Sequence, residues 1–255
     1  MGSATRLSGL YQRSPGRVLF PRPRSGEPPL AVLVNTAGGM AGGDRASVTV
    51  RIEAGAAATV TTQAAEKIYR SLGPDSMVET RIEVGEGGQF EWLPQEAILF
   101  DGARLDRRLS ATVAAQGRLL ACEMLVFGRA ARGEVMRSGR VREFWRIERG
   151  GRLAWVDRLG LSGGIADRLD EMGFGGARAL ATVLYVGPDA AALAPTVQQA
   201  AFAEGGGASL VNGVVVARLL GAGPSRVRDA LARLISVLRH AAFGIPSGMP
   251  ALWAR

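Results

Sequence analysis

Residues 48–55 read VTVRIEAG, and this stretch decides the fold class. Its valines and isoleucine alternate with polar residues up to a glycine, which is the period-two pattern of a half-buried β-strand that ends in a turn. The pattern returns in residues 78–85, VETRIEVG, and in residues 146–150, RIERG, with a weaker form in residues 112–117, TVAAQG. The middle of the chain is therefore predicted to be mainly β.

The glycines that close these stretches recur at a nearly regular interval. Gly55, Gly85, Gly117 and Gly150 are separated by 30, 32 and 33 residues, and glycine suits turns that need a positive φ. Such a period is typical of strand–turn–strand units stacked on a continuous core. We therefore expect a stacked-strand, solenoid-like or layered β body. The alternative is that ordinary β-hairpins look alike in a chain rich in Arg, Ile, Glu and Gly.

About two helices are predicted toward the C-terminal part of the chain, at Asp189 to Ala203 and at Pro224 to about Gly244. The second begins at a proline and ends at a glycine, as helices prefer. No linker divides the chain, so residues 1–255 are expected to form one domain. The second helix places apolar residues on one face. That face either packs on its own domain or binds a partner, and the candidate partner-binding residues are Val227, Leu231, Leu234 and Leu238.

The composition excludes several classes of enzyme. The chain has 255 residues, and its only thiol and imidazole are Cys122 and His240, which excludes an internal disulfide, a Cys-rich zinc site and an HExxH helix. The sole lysine, Lys67, follows Glu66, so a P-loop for nucleotide hydrolysis is excluded too. We expect no tightly bound cofactor.

The distribution of charge predicts which partners the chain binds, and the terminal sequences predict its location. The formal net charge is +8, but the arginines are scattered from Arg6 to Arg255 and only 6% of the residues are aromatic, so no nucleic-acid interface is predicted. Residues 1–10 lack the apolar core of a signal peptide, and charges interrupt the apolar stretches near the C-terminus. We expect a cytoplasmic protein with no membrane contact.

One motif offers an enzymatic alternative. Residues 160–164, GLSGG, match the GxSxG nucleophile elbow of serine hydrolases, and His240 follows in the required order. That elbow needs a strand–turn–helix unit inside an alternating βαβ pattern, whereas this chain is a run of strands. A serine hydrolase that uses Ser162 and His240 is nevertheless kept as an alternative, together with a β-rich interaction domain that has no metal role.

Five longer blocks together resemble one known family. They are NTAGGMAGGD at 35–44, TTQAAEKIYRS at 61–71, EWLPQEAILFDGARLDR at 91–107, FGRAARGE at 127–134, preceded by Glu123, and RVREFWRIERGGRLAWVDRL at 140–159. In this order they resemble the urease accessory protein UreD (UreH) family. The closing residues 249–253 only approximate the family's Leu-Pro-Arg-x-Trp pattern.

The resemblance implies a non-enzymatic chaperone with a mainly β, solenoid-like fold. Members bind apo-urease and the accessory protein UreF, which recruits the GTPase UreG, and the complex delivers nickel to the urease active site. Nickel is proposed to pass transiently through a polar tunnel in the family's fold. Carboxylate oxygens hold a divalent ion more loosely than several imidazoles or thiolates would. The candidate lining residues, each of which has a salt bridge or a turn contact as its alternative role, are Asp44, Glu66, Glu96, Asp101, Glu123 and Glu134.

Overall fold

The chain folds as two β-sheets stacked face to face, with helices on one outer side. The computed structural model describes residues 5–170, 173–246 and 248–253. The strands are β1 Gly16–Leu19, β2 Leu30–Asn35, β3 Arg45–Ile52, β4 Ala57–Thr62, β5 Glu66–Ile68, β6 Ser76–Val84, β7 Gln89–Leu93, β8 Ala97–Leu99, β9 Arg104–Val113, β10 Arg118–Phe127, β11 Ser138–Arg149, β12 Arg152–Gly164, β13 Ala179–Val186, β14 Gly207–Val211 and β15 Val214–Gly221.

Two sheets contain these strands. Sheet A has the order β1-β2-β4-β7-β10-β13-β15-β14, with β5 and β8 joined beside β10, and sheet B has the order β12-β11-β9-β6-β3. Each of the pairs β3/β4, β6/β7 and β9/β10 crosses from sheet B to sheet A through a short turn. Neighbouring copies of this unit pair in parallel in both sheets, which is the stacked arrangement of a β-solenoid. The predicted mainly β, stacked-strand fold class is confirmed.

The turn glycines occupy two different kinds of position. Gly55 and Gly150 have φ of 68° and 54°, which side chains rarely adopt. Gly85 and Gly117 have no positive φ, but a Cβ on Gly85 would lie 2.9 Å from the Ala54 nitrogen, and one on Gly117 would lie 3.1 Å from the Gly85 oxygen. A positive φ is therefore found at two of the four turn glycines, and close stacking of successive turns explains the other two.

Alternate residues of each strand point between the two sheets and form two apolar clusters. One cluster lies toward the turns and includes Ile82, Phe90, Leu109 and Trp145. The other lies toward the opposite ends of the strands and includes Leu99, Leu105 and Phe127. The remaining faces differ, because sheet A carries the helices and the outer face of sheet B is lined with charged side chains such as Arg51 and Glu83.

The helices pack on the outer face of sheet A. They are α1 Ile165–Arg168, α2 Ala190–Ala203 and α3 Pro224–Phe243, with short 3-10 turns at Ala130–Arg132 and Ala251–Trp253. The two predicted helices correspond to α2 and α3, and α3 begins at Pro224 and ends at Gly244, which has φ 64°. The four-residue α1 was not predicted, because one turn is too short to show helical periodicity. Within the described ranges no helix combines the length and the apolar character needed to cross a membrane.

Candidate functional site: a charged cluster between the sheets

Three charged side chains interrupt the apolar interior where its two clusters meet. Arg107 on β9, Glu123 on β10 and Glu143 on β11 are 7%, 6% and 6% exposed. Each occupies an inward-facing position of its strand, with an apolar residue two positions away on either side. We call Arg107, Glu123 and Glu143 the interior charged cluster.

Arg107 joins the two carboxylates of this cluster. Its guanidinium forms an ion pair with Glu123, and its Nε donates a hydrogen bond to Glu143 Oε1 at 2.9 Å. Arg107 and Glu143 are cross-strand neighbours on parallel strands of sheet B, whereas Glu123 reaches across from sheet A. Trp92 Nε1 also donates to Glu123 Oε1 at 3.0 Å. The cluster is thus held by both sheets.

The electrostatics of the cluster favour a further positive charge. Burial raises the pKa of Glu123, while the adjacent Arg107 guanidinium opposes the rise and Glu143 adds to it. When all three groups are ionised, two carboxylates face one guanidinium, and one negative charge is in excess. A buried excess charge is costly unless it is compensated, either by a proton on Glu123 or by a further cation.

A row of polar residues leads from the cluster toward solvent. Glu123 is directly beside Thr182 on β13, and Thr182 is directly beside Arg218 on β15. Arg218 forms an ion pair with Asp157 of β12, and its side chain is about half exposed. This row crosses sheet A at the level of the cluster and ends where sheets A and B meet the surface.

The six sequence-predicted acids do not meet at one point. Glu123 belongs to the interior charged cluster. Asp101 and Glu134 lie together, since Glu134 Oε1 accepts a hydrogen bond from the Asp101 backbone N–H at 3.3 Å. Among the described residues, no group of three or more His, Cys, Asp and Glu side chains is arranged to hold a metal ion. A transient nickel contact by any of the six stays a prediction.

Three of the predicted acids have structural partners. Asp44 closes the glycine turn by accepting the Ala41 N–H at 2.8 Å. Glu96 forms an ion pair with Arg228 of α3 at 3.0 Å. Glu134 pairs with Arg129, which lowers the pKa of the Glu134 carboxyl.

Asp101 and Glu66 differ in how their surroundings affect ionisation. Burial would raise the pKa of Asp101, but the backbone N–H groups of Ser138 and Arg137 lower it, and the net shift is downward. Burial raises the pKa of Glu66, which accepts a hydrogen bond from Asn35 Nδ2 at 3.0 Å. Glu66 lies on the same side of β5 as the buried Ile68, so it is the second predicted acid that faces the interior.

The predicted partner-binding face of α3 is buried within this chain. Its side chains pack against sheet A, none is more than 5% exposed, and they belong to one apolar cluster with β10, β13 and β15. The docking interpretation is corrected to packing, because the outer face of sheet A is apolar and needs a cover. The residues concerned are Val227, Leu231, Leu234 and Leu238.

The serine-hydrolase alternative is contradicted by the fold. Ser162 lies inside β12, where it pairs with Arg140 of β11, so residues 160–164 continue a strand and form no nucleophile elbow. Its side chain is exposed on sheet B. His240 is exposed on α3, which packs on the far side of sheet A. The two residues are separated by both sheets.

Two members of the interior charged cluster were missed by the sequence reasoning, although a signal was present. Leu105 and Leu109 alternate inward on β9, and the same alternation makes Arg107 an inward residue. On β11, Glu143 likewise lies between two inward residues, Val141 and Trp145, and is therefore an inward residue too. A charged residue at an inward position of a two-sheet stack is therefore the pattern to look for.

A second buried ion pair was also missed, and it lies on the other face of sheet A. Arg239 of α3 is fully buried, and its Nε donates to Glu91 Oε1 at 2.8 Å. The same guanidinium donates to the Gly248 carbonyl and approaches Glu27. These contacts fasten α3 and the C-terminal segment to the sheet.

Comparison with known proteins gives the family. Residues 1–254 match the model of the UreD urease accessory protein family. Urease accessory proteins UreD from Methylobacterium sp. (strain 4-46) and Granulibacter bethesdensis are 43% and 41% identical, over 99% and 92% of this chain and 90% and 99% of their own lengths. Urease accessory protein UreD 2 from Methylorubrum populi is 45% identical over 98% of this chain and 84% of its own length. These names describe accessory proteins rather than enzymes, and the chain belongs to the UreD family of urease accessory proteins.

Proposed function

We propose that this chain is a cytoplasmic scaffold for urease maturation that guides nickel to the urease active site. In this proposal it binds apo-urease and UreF, and through UreF the GTPase UreG. The observation that carries the proposal is the family match over residues 1–254. The sequence has no P-loop, which agrees with leaving GTP hydrolysis to UreG.

The interior charged cluster supports a role in passing a divalent cation. Its donors are carboxylate oxygens, and the single thiol, Cys122, is a poor candidate because burial among apolar side chains raises its pKa well above the usual range. Oxygen donors bind nickel less firmly than thiolates or several imidazoles do. Transit requires sites that attract an ion and also release it, and an excess of one buried negative charge meets the first requirement.

Passage of an ion through the cluster depends on Arg107. Its guanidinium now contacts both Glu123 and Glu143, so an ion reaches a carboxylate when the guanidinium gives up one of them. The polar row through Thr182 to Arg218 and Asp157 supplies a direction of approach. Nickel is cargo in this scheme and has no permanent ligands in this chain.

The proposal is tested by measuring the nickel content of purified urease. Urease would be co-expressed with its accessory proteins, with or without this chain, in nickel-supplemented cells. Glu123→Gln keeps a hydrogen-bond acceptor for Trp92 but removes the charge, and Glu83→Gln changes an exposed acid on the outer face of sheet B as the matched control. Nickel per urease active site and co-purification with UreF and urease are read separately.

We expect urease made without the chain to contain little nickel. We expect Glu123→Gln to lower the nickel content while the complex still co-purifies, and Glu83→Gln to change neither result. Full nickel content with Glu123→Gln would overturn the conduit role. Full nickel content without the chain, or failure to co-purify with urease and UreF, would overturn the scaffold role as well.

A further inference from the structure

The two sheets do not end together at the N-terminal side of the stack. Sheet B ends at β3, whereas sheet A continues past β4 with β2 and β1. The inward side chains at this end are less fully covered: Val50 of β3 is partly exposed, although its cross-strand neighbour Ile82 is 1% exposed. Leu33 of β2 and its partner Val18 of β1 are partly exposed as well. Sheet A thus forms an apolar overhang beside an open sheet edge.

The backbone of β3 leaves one set of hydrogen-bonding groups at this edge. The Asp44 and Ile52 carbonyls accept the Met77 and Gly85 N–H groups, both at 2.8 Å, so the even-numbered residues point toward β6. The odd-numbered residues therefore point away from it. In the described part of the chain, β6 is the one strand that pairs with β3. An edge of this kind is a template for an added strand.

The exposed face of β3 carries two arginines. Arg51 is already paired with Glu83 at 2.6 Å, whereas Arg45 has no ion-pair partner among the described residues. The segment that leads into the overhang has five arginines and no acidic residue between positions 5 and 24, namely Arg6, Arg13, Arg17, Arg22 and Arg24. A strand that added here would gain from acidic side chains on its outer face.

We propose that the β3 edge receives an extended segment of a partner protein as an additional strand of sheet B. The segment would place alternate apolar side chains under Val18 and Leu33 and beside Val50, and acidic side chains beside Arg45 and Arg51. This is β-strand addition, in which backbone hydrogen bonds give affinity and alternate side chains give specificity. The inference does not depend on nickel transfer.

The overhang argues against a second copy of this chain as the occupant. A two-fold pairing of β3 with β3 of another copy keeps both copies of sheet A on the same side. The β1–β2 overhang of one copy would then occupy the space of β4 in the other. A single extended segment avoids this overlap, because it brings no second layer with it.

The proposal is tested with the full-length chain and a fluorescent octapeptide. The peptide, acetylated and amidated, alternates Glu or Thr with Val and carries Glu at its first and seventh positions, which matches the spacing of Arg45 and Arg51. A control peptide has Lys in place of Glu. Binding is followed by fluorescence anisotropy, and hydrogen–deuterium exchange reports on residues 45–51.

A proline at Thr49 separates strand addition from other modes of binding. The Thr49 N–H points to the open edge, so Thr49→Pro removes a donor for the added strand without removing one from the β3/β6 ladder. Thr49→Ala keeps the donor and is the matched control. Unchanged exchange protection of β6 and β9 shows that the variants are folded.

We expect the Glu peptide to bind and to protect the odd-numbered amides of β3. We expect the Lys peptide and Thr49→Pro each to weaken binding by about tenfold or more, whereas Thr49→Ala has little effect. Three outcomes would overturn the proposal: no binding of the Glu peptide, equal binding by wild type and Thr49→Pro, or a rise in molecular mass on light scattering that shows a dimer formed through β3.

Discussion

Arg107 offsets part of the negative charge of the interior, and its loss would leave two carboxylates buried near each other. Breaking a buried ion pair by removing one partner costs about 3–5 kcal/mol. We therefore expect Arg107→Met to lower the free energy of unfolding by roughly that amount at neutral pH, measured by urea denaturation. Arg51→Met, on the exposed face of β3, removes an ion pair whose two partners are both exposed; it is the control and should cost at most about 1 kcal/mol.

The same variant has a predictable pH dependence. Burial raises the pKa of Glu123 in the folded chain, so the folded state holds this proton more firmly than the unfolded state. The stability that this proton adds is fully present below the pKa of Glu123 in the unfolded chain. It is lost as the pH rises through the pKa of Glu123 in the folded chain. Arg107→Met removes the group that opposes the rise. Its destabilisation should therefore be larger at neutral pH than near pH 4, and an equal loss at both pH values would contradict the assignment.

Individual site residues could be predicted only in part from the sequence. The family resemblance predicts a role for Glu123, which lies in the interior. It predicts the same role for Glu96 and Asp44, but these have a helix arginine and a turn amide as partners. These partners lie far along the chain or depend on the exact turn, so residue types and spacing could not reveal them.

At the scale of elements, α3 depends on a buried ion pair as well as on its apolar face. We expect Arg239→Met to reduce the free energy of unfolding by about 3 kcal/mol or more, because Glu91 would be left buried without its partner. The double variant Arg239→Met with Glu91→Gln should recover part of the loss. Arg226→Met, on an exposed position of α3, should change stability by less than about 1 kcal/mol.

These stabilities would be compared by urea denaturation at one pH. The recovery in the double variant is the informative result. If the double variant were no more stable than Arg239→Met alone, the loss would come from the contacts of Arg239 with the C-terminal segment at Gly248 and not from the unpaired Glu91 carboxylate.

The repeat shows why elements are easier to predict than their register. The repeated sequence pattern aligns Arg51 with Arg81. In the structure, β3 and β6 pair two residues further along, so that Arg51 is directly beside Glu83. The two side chains form an ion pair at 2.6 Å. Similarity in sequence matches like residues, whereas neighbouring strands favour opposite charges and avoid like ones. The existence and order of the strands could thus be predicted from the sequence pattern. Their register could not, because it depends on which side chains of neighbouring strands pair.

At the scale of the whole molecule, sheet A joins the two layers of packing. The inward residues of β10 and β13 belong to the clusters between the sheets, and their outward residues belong to the cluster under α3. The sequence predicted both the β body and the two longer helices. It did not show that the apolar face of α3 covers sheet A, because helical periodicity identifies an apolar face but not what lies against it.

This shared sheet predicts that the chain unfolds in one step. Trp92, Trp145 and Trp155 all lie between the sheets, whereas Trp253 belongs to the C-terminal segment and packs on the outer face of sheet A. Fluorescence of the Trp253→Phe variant therefore reports on the body alone. Far-UV circular dichroism of the same variant reports on all the secondary structure and so includes the helices. Because β10, β13 and β15 carry α3 on one face and interior residues on the other, the two urea transitions should coincide. Distinct midpoints would show that α2 and α3 form a separate cooperative unit, and the expectation of one domain over residues 1–255 would then be wrong.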